Sequence, residues 1–395
     1  MKIVVYCQHV LGIGHFFRTL AICRALDRHD VILVTGGPKV DATLPAHVRT
    51  VRLPGLEMNR EFKDLHPTDP GKNLDRVKSL RREMLFSLFK TEAPDLFLTE
   101  LYPFGRKAFR FELDPVLEGI RTGGLPKATT VSSVRDILVE REDAEKYEKR
   151  VTGTLNRLFD GLVVHSDAGF INLGETFSRL QEIAIPIHYS GFVTPFPETD
   201  ARQRIRHQIA LKPEERLAVV SAGGGKVGDR LIAAVLTAIP LMKIENRTRF
   251  VVFTGPYLEA SPFARMKKIA GNRATLRRFS NDFLSYLGAA DFSVSMAGYN
   301  TTMNILAARV PALVWPFPQN REQGMRAKRL AELGALTVLS EEDLSPRRLA
   351  GLMDQMEKTQ FPSSTRFALE GAAATARFLE SLAADKVAVS AKRGS

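Results

Sequence analysis

Cysteine is nearly missing from this sequence: its 395 residues contain two, Cys7 in an apolar strand-like run and Cys23 on the apolar face of the helix that follows. That count excludes a disulfide framework and leaves two buried free thiols as the expectation. No stretch supplies the roughly eighteen uninterrupted apolar residues of a membrane-spanning helix. The apolar stretch Ile3 to Tyr6, after Met1 and Lys2, is too short for a secretory signal core, so a cytoplasmic protein is expected. No Asp-x-Asp triplet occurs and no His/Cys cluster has zinc spacing, so neither a divalent ion nor a structural zinc is indicated. Helix-turn-helix, aromatic RNA-binding and zinc-module signatures are missing too, and the basic residues are scattered, which disfavours nucleic acid. Lys and Arg nevertheless number 56 against 44 for Asp and Glu, a formal charge of +12. That excess suits an anionic small molecule or an anionic bilayer surface, or serves solubility alone.

What is present is an alternation of short β-branched runs with helix-length segments. The residues 2–7 (KIVVYC) are followed by a glycine loop and then by Leu20, Cys23 and Leu26 at helical spacing. Further strand-like runs are Val31–Thr35, Asp95–Thr99, Ala128–Ser132 and Gly161–His165, separated by helical segments such as Asp75–Phe89 and Glu142–Phe159. Around Gly191 to Arg202 prolines, glycine and polar residues interrupt the pattern, as at a domain connection. A second series then runs through Leu217–Ala222, Arg249–Thr254, Phe292–Met296 and Ala312–Pro316, with helices from Arg230, Asn281, Thr301 and Arg321. This predicts two parallel α/β domains, with ligands at the strand carboxyl ends in a cleft between them. The last ten residues read as a frayed tail.

Four loops carry the chemistry. Gly12-Ile13-Gly14-His15 lies where a strand hands over to a helix, so its amides and the helix end can face a negative charge. The same positive helix end would lower the proton affinity of His15 and keep it a neutral base. Ser221-Ala222-Gly223-Gly224-Gly225-Lys226 follows an apolar strand; its glycines admit close approach of an anion and Lys226 adds charge, without the spacing of a Walker A sequence. Ser295 to Thr302 again ends a strand in Gly298, followed by Asn300, Thr301 and Thr302, where the threonines can cap the next helix. Trp315 to Gln323 ends in Glu322 and Gln323, a pair suited to a vicinal diol. Each loop alone is equally readable as a tight βα connection; together they favour a diphosphate site.

In this order the GIGH loop, the GGG loop, the Gly-x-x-Thr helix start and the Pro-rich loop with Glu-Gln resemble the GT-B glycosyltransferases of family 28. Tyr102-Pro103-Phe104-Gly105-Arg106, Val134 to Leu138 and Val164 to Asp167 look more narrowly like a predicted bacterial glycosyltransferase subfamily of that group. The resemblance implies a GT-B fold, two Rossmann-like doubly wound domains facing across a cleft. Residues 1–193 would be the acceptor-side domain and 194–364 the nucleotide-sugar domain, with a helix at about 365–382 returning to the first domain and 386–395 a flexible tail. Gly12, Gly14 and His15 match the family's first glycine loop. Gly223, Gly224 and Gly225 match the loop beside the diphosphate, and Gly298 with Thr301 the second phosphate-binding helix start. Arg278 and Phe279, before a helix at Ser280–Leu287, match the stretch whose backbone meets the nucleobase, and Glu322 and Gln323 the residues that hold sugar hydroxyls. Where the family carries a glutamate for the ribose, this chain has Asn304, which offers one acceptor oxygen and so puts uridine in question beside deoxythymidine.

The expected reaction is an inverting, metal-independent transfer from a nucleotide-diphosphate sugar, a UDP-sugar favoured, to an acceptor hydroxyl. His15 takes the proton, with Asp136 and Glu100 as reserve bases and no cofactor beyond the co-substrate. The acceptor would be lipid-linked or a glycan. Asp75 to Lys90, an amphipathic basic segment, and Phe16 with Phe17 would offer a peripheral membrane contact, or else form one core face and one solvated face. A nucleotide-sugar epimerase or hydrolase, and a non-enzymatic basic binding protein, are the rival readings.

Overall fold

The apolar runs of the sequence become the inner strands of two parallel sheets in the structure, a computed structural model. It describes the chain except residues 10–13, 38, 39, 41, 59–63, 139–142, 226, 244–246, 363–365, 394 and 395, and of 387–393 it describes the backbone alone. The residues divide into two units, Met1–Val193 with Ala368–Ser395, and Thr194–Phe367.

The first unit contains, in order, β1 (Lys2–Cys7), α1 (Gly14–Ala25), β2 (Asp30–Thr35), β3 (Val48–Arg52), the hairpin β4 (Leu56–Met58) and β5 (Leu65–Pro67), and α2 (Leu74–Glu92). It continues through β6 (Leu96–Glu100), α3 (Arg110–Thr122), β7 (Thr129–Arg135), α4 (Ala144–Leu158), β8 (Gly161–His165) and β9 (Ile187–Tyr189). Its seven-stranded sheet has the order β3-β2-β1-β6-β7-β8-β9, with every pairing parallel. Alternate residues of β1 serve opposite faces: Val4 and Tyr6 join a core with α2, α3 and α4, whereas Ile3, Val5 and Cys7 join one with α1. A strand covered on both sides has to be apolar throughout, which is why β1 reads as a continuous run rather than an alternating one.

The second unit contains α5 (Ala201–Gln208), β10 (Arg216–Ser221), α6 (Asp229–Ala238), β11 (Thr248–Phe253), α7 (Ala260–Ala270), β12 (Ala274–Arg277) and α8 (Phe283–Ala289). Next come β13 (Phe292–Met296), α9 (Tyr299–Ala308), β14 (Ala312–Trp315), α10 (Arg321–Glu332), β15 (Thr337–Val338) and α11 (Pro346–Gln355). Its parallel order is β12-β11-β10-β13-β14-β15. In each sheet the winding therefore reverses direction beside the first strand, between β1 and β6 and between β10 and β13, and such a reversal opens a crevice at the strand carboxyl ends.

The chain ends in α12 (Gly371–Arg393), which packs Ala376 and Leu379 into the α1 core of the first unit. This helix starts six residues later than the expected 365 and runs through the stretch 386–393 that was expected to fray. Residues 386–393 contain neither glycine nor proline, and Lys386 is ion-paired to Asp160. α2 takes the second of its two expected forms, with one core face and one solvated face. Val77, Leu85 and Phe89 are buried in the core and Met84 and Leu88 pack against it, leaving Leu80 as the exposed large apolar residue. Phe16 is buried as well and Phe17 packs against the α1 core, so the apolar face proposed for a bilayer is already covered. Among the described residues no helix is long and apolar enough to cross a membrane.

One buried ion pair fastens the first unit. Arg81 of α2 is fully buried and donates through Nε to Glu112 Oε2 (2.7 Å) and through Nη2 to Glu112 Oε1 (2.5 Å) and Gln8 Oε1 (2.8 Å). Its Nη1 meets the carbonyls of Gly36 (3.1 Å) and Pro54 (2.7 Å), while the Tyr6 hydroxyl donates to Glu112. Removing one partner strands a buried charge, so Arg81→Met should lower unfolding stability by about 3–5 kcal/mol. Urea denaturation measures this, and a loss below about 1 kcal/mol would contradict the assignment.

Candidate active site

The reversal point of the first sheet collects the acid-base groups. β1 and β6 run side by side with Tyr6 beside Thr99, so the end of β6 lies next to the turn that leaves β1. Glu100, the last residue of β6, is buried, and His15, the second residue of α1, reaches it with Nδ1 2.8 Å from Glu100 Oε1. Arg18, one turn further along α1 and equally buried, donates to the same carboxylate oxygen and lies 3.0 Å from His15 Nδ1. A guanidinium only donates, so Nδ1 cannot accept from Arg18 while giving its proton to Glu100. The carboxylate is the stronger partner, and Arg18 already has it. The tautomer that satisfies all three groups puts the proton on Nδ1 and leaves Nε2 bare, the arrangement of a base oriented by an acid.

Electrostatics agree. Burial pushes the His15 imidazole down to about 4, with Glu100 holding it up in part and Arg106 and Arg18 opposing protonation. The sequence predicted a neutral His15 from the helix end; burial is the larger cause. Burial raises the Glu100 carboxyl, but His15 and Arg18 outweigh it and keep the group well below the usual carboxylate range. Glu100 Oε1 is shared between His15 and Arg18, which places this carboxylate to orient the imidazole. Asp136, just past β7, is fully buried. Gly14 opens α1, and Gly12 lies outside the described residues.

The reversal point of the second sheet collects the glycine turns. β10 pairs β13 with Ser221 beside Ser295, so the turns that follow emerge together. A β-carbon placed on Gly223 would lie 3.9 Å from Thr301 Oγ1, which brings the two predicted phosphate loops into one place. Gly225 (φ 84°) and Gly255 (φ 88°) interlock so tightly that a β-carbon on Gly225 would sit 2.5 Å from the Thr254 carbonyl oxygen. Left-handed backbone and contact distance both demand glycine there. Ser221 is turned inward, accepting the Gly223 N–H at 3.1 Å, so it shapes the turn. No side chain caps α6 at Gly228 or α9 at Gly298. Thr302, expected as a cap, instead donates back to the Gly298 and Tyr299 carbonyls (3.0 and 2.9 Å), as threonine in a first turn readily does. Lys226 lies outside the described residues.

Other predicted donor residues take more specific places. Asn300 and Asn304 are half-buried on α9, and Asn304 Oδ1 accepts the Thr194 hydroxyl at 3.0 Å, which leaves its amide nitrogen to donate. Glu322 is buried, with Oε1 accepting from Arg326 at 2.7 Å, and Arg326 lies over the Tyr299 ring. Gln323 Oε1 accepts the Phe317 N–H (3.0 Å), again leaving an amide nitrogen. Arg278 lies over Phe263 and donates to the Leu258 carbonyl, so its side chain serves the loop, while Phe279 is 46% exposed beside β12. The helix expected at Ser280–Leu287 is α8, starting at Phe283, because Ser280 Oγ and the Asp282 amide close a turn first. Sequence reasoning missed Arg18, Arg326 and Thr194. The i, i+3 spacing of His15 and Arg18 and the i, i+4 spacing of Glu322 and Arg326 were the signals available.

Comparison with known proteins bears most directly on the C-terminal half of the chain. Residues 218–380 match the family model described as "Glycosyltransferase family 28 C-terminal domain". The chain is 31% identical over 143 residues to UDP-N-acetylglucosamine–N-acetylmuramyl-(pentapeptide) pyrophosphoryl-undecaprenol N-acetylglucosamine transferase of Agrobacterium fabrum, covering 35% of this chain and 38% of that one. It is 22% identical over 183 residues to an uncharacterized glycosyltransferase of Methanopyrus kandleri, covering 46% and 50%. The chain thus spans half or less of the length of these curated relatives. Among solved structures it is similar to MurG of Acinetobacter baumannii (TM-score 0.54, 14% identity, 96% and 95% of the two chains covered). It is also similar to CalG4, the calicheamicin glycosyltransferase (0.57, 17%, 98% and 98%). These likenesses extend over both units and establish the GT-B fold. Within the family 28 domain the glycine turns, α9 and the Glu322 helix are the elements at the strand carboxyl ends.

The tautomer and charge of His15 are directly measurable. In a proton-detected NMR titration of histidine-labelled protein, His15 should be neutral and Nδ1-protonated at pH 7, titrating near 4. Glu100→Gln should move that midpoint lower, because the carboxylate is what raises the imidazole's proton affinity. A midpoint between about 6 and 7 in the wild type, the range of a free imidazole, would contradict the assignment.

Proposed function

We propose that the protein is an inverting, metal-independent glycosyltransferase that moves a sugar from a nucleotide-diphosphate donor, a UDP-sugar favoured, to an acceptor hydroxyl. The observation that carries this reading is the approach of Gly223 to Thr301 inside a family 28 domain, at the reversal point of a parallel sheet. The amides that open α9 and the Gly224 N–H would stabilise the diphosphate as it leaves with the bonding electron pair. The acceptor oxygen would attack the anomeric carbon while its proton passes to His15 Nε2, and Glu100 would hold the resulting imidazolium. The UDP preference rests on relatives whose names specify UDP-N-acetylglucosamine. Asn304, with one amide nitrogen free to donate, supports a single ribose contact and leaves a deoxyribonucleotide admissible.

The acceptor in this reading is lipid-linked or a glycan, the first by analogy with the pyrophosphoryl-undecaprenol in the relatives' names. The burial of α2's apolar stripe and of Phe16 argues against a bilayer contact built from those residues.

The test pairs binding with turnover. UDP should raise the melting temperature with concentration, by about 2.7 kcal/mol of linkage at a hundredfold excess over its dissociation constant. With UDP-N-acetylglucosamine and a panel of lipid-linked and glycan acceptors, His15→Ala should lower kcat about 10²- to 10⁴-fold and leave UDP affinity unchanged. Equal loss of both, or unchanged turnover, would remove His15 from the base role. Consumption or epimerisation of the donor at full rate without any acceptor would favour the hydrolase or epimerase alternative.

A further inference from the structure

Two arginines of the first unit, Arg81 fully buried and Arg106 half-buried, contrast sharply. Arg81 makes contacts with five groups and is satisfied as a structural residue. Arg106 makes no side-chain hydrogen bond or ion pair with any described residue, although its Nε is buried. Burial depresses its guanidinium below the ordinary range, with Glu100 the foremost compensating charge and Arg135 opposing. A buried donor left without a partner destabilises the fold, and Arg106, unlike Arg18 with its Glu100, has no carboxylate within ion-pair distance among the described residues.

The local backbone holds Arg106 in place. It stands in the turn after β6 with φ 58°, in the left-handed region that a non-glycine residue adopts only under constraint. The Gly105 N–H donates to the Leu101 carbonyl (2.6 Å), and the Tyr102 carbonyl accepts from the Thr99 (3.1 Å) and Ser132 (2.7 Å) hydroxyls. The Tyr147 hydroxyl donates to the Phe104 carbonyl (2.7 Å), and Tyr102 and Phe104 are buried. The turn is therefore built, and the arginine is delivered to the same strand ends as His15, close enough to oppose protonation of that imidazole.

Charge there is uneven. Arg18 and Arg106 both act on Glu100, Arg135 adds a further positive charge beside Arg106, and His15 is neutral. Arg18 already holds Glu100.

We propose that Arg106 is a specificity-determining residue that binds an oxyanion, a phosphate or carboxylate carried by the acceptor, beside the His15–Glu100 pair. A guanidinium presents two parallel N–H groups to such a group and fixes its orientation as well as its charge. The acceptor is then an anionic hydroxyl compound, held by Arg106 while its hydroxyl meets His15 Nε2. Arg106 does not touch the reacting atoms; it positions. The proposal rests on the reading of His15 as base, yet its oxyanion site is testable without turnover.

Full-length protein, labelled at arginine Nε, is titrated with inorganic phosphate with and without saturating UDP, following the Arg106 Nε–H and His15 signals. The expected result is a phosphate-dependent shift of both signals that survives UDP. In Arg106→Met phosphate affinity should fall about tenfold or more, and in Arg106→Lys by less, since charge is restored without the fork. UDP affinity and the His15 tautomer in Arg106→Met should match the wild type, which establishes that the variant is folded. Equal phosphate affinity in wild type and Arg106→Met, or displacement of phosphate from Arg106 by UDP, would overturn the proposal. Failure of the wild type to bind UDP would defeat the glycosyltransferase reading while leaving the phosphate result at Arg106 to stand or fall alone.

Discussion

Everything in the candidate site follows from the parallel pairing of β10 with β13. Because these two strands are neighbours in space but not in sequence, the helices after them leave in opposite directions and open a gap at their carboxyl ends. Register sets what lines that gap: Ser221 beside Ser295 brings the glycine turn and the start of α9 level with each other. The turn can enter only because Gly225 and Gly255 take left-handed backbone and touch without side chains. A β-carbon at either would meet backbone atoms at 2.4–2.5 Å, push the loops apart and disturb the alignment of Gly223 with Thr301.

The first unit repeats the same winding with different chemistry. Around the ends of β1 and β6 it gathers side chains rather than bare amides: an imidazole, a buried carboxylate and the guanidinium groups of Arg18 and Arg106. Their arrangement solves one electrostatic problem. Burial disfavours charge on His15, so the ring is neutral at physiological pH, whereas Glu100 survives burial as an anion because Arg18 accompanies it. The result is a neutral imidazole held in one orientation next to several guanidinium groups.

Much of the fold was legible because strands covered on both faces leave long apolar runs. β1, β2, β6, β8, β10, β11 and β14 each carry such a run, while β13 alternates apolar residues with Ser293 and Ser295. β3 and β12 were not legible, since Val48–Arg52 and Ala274–Arg277 lie at sheet edges and are largely exposed, so no run forms. α3 carries Pro115 inside its length, which reads as a break. At the site, residue types were readable but pairings were not. Nothing in the spelling of Asn304 or Glu322 reveals that Thr194 and Arg326 already occupy their acceptor oxygens. The unpartnered state of Arg106 is likewise a property of the folded turn, visible only once Tyr102 and Phe104 are seen to be pinned.

The central claim is that two turns of the second unit form a single diphosphate site, and amide chemical shifts on adding UDP test it most directly. The account predicts that the backbone amides of Gly223, Gly224, Gly225 and Thr301 shift together with one dissociation constant and gain protection from hydrogen exchange. Shifts confined to one turn, or distributed over residues remote from both, would contradict it.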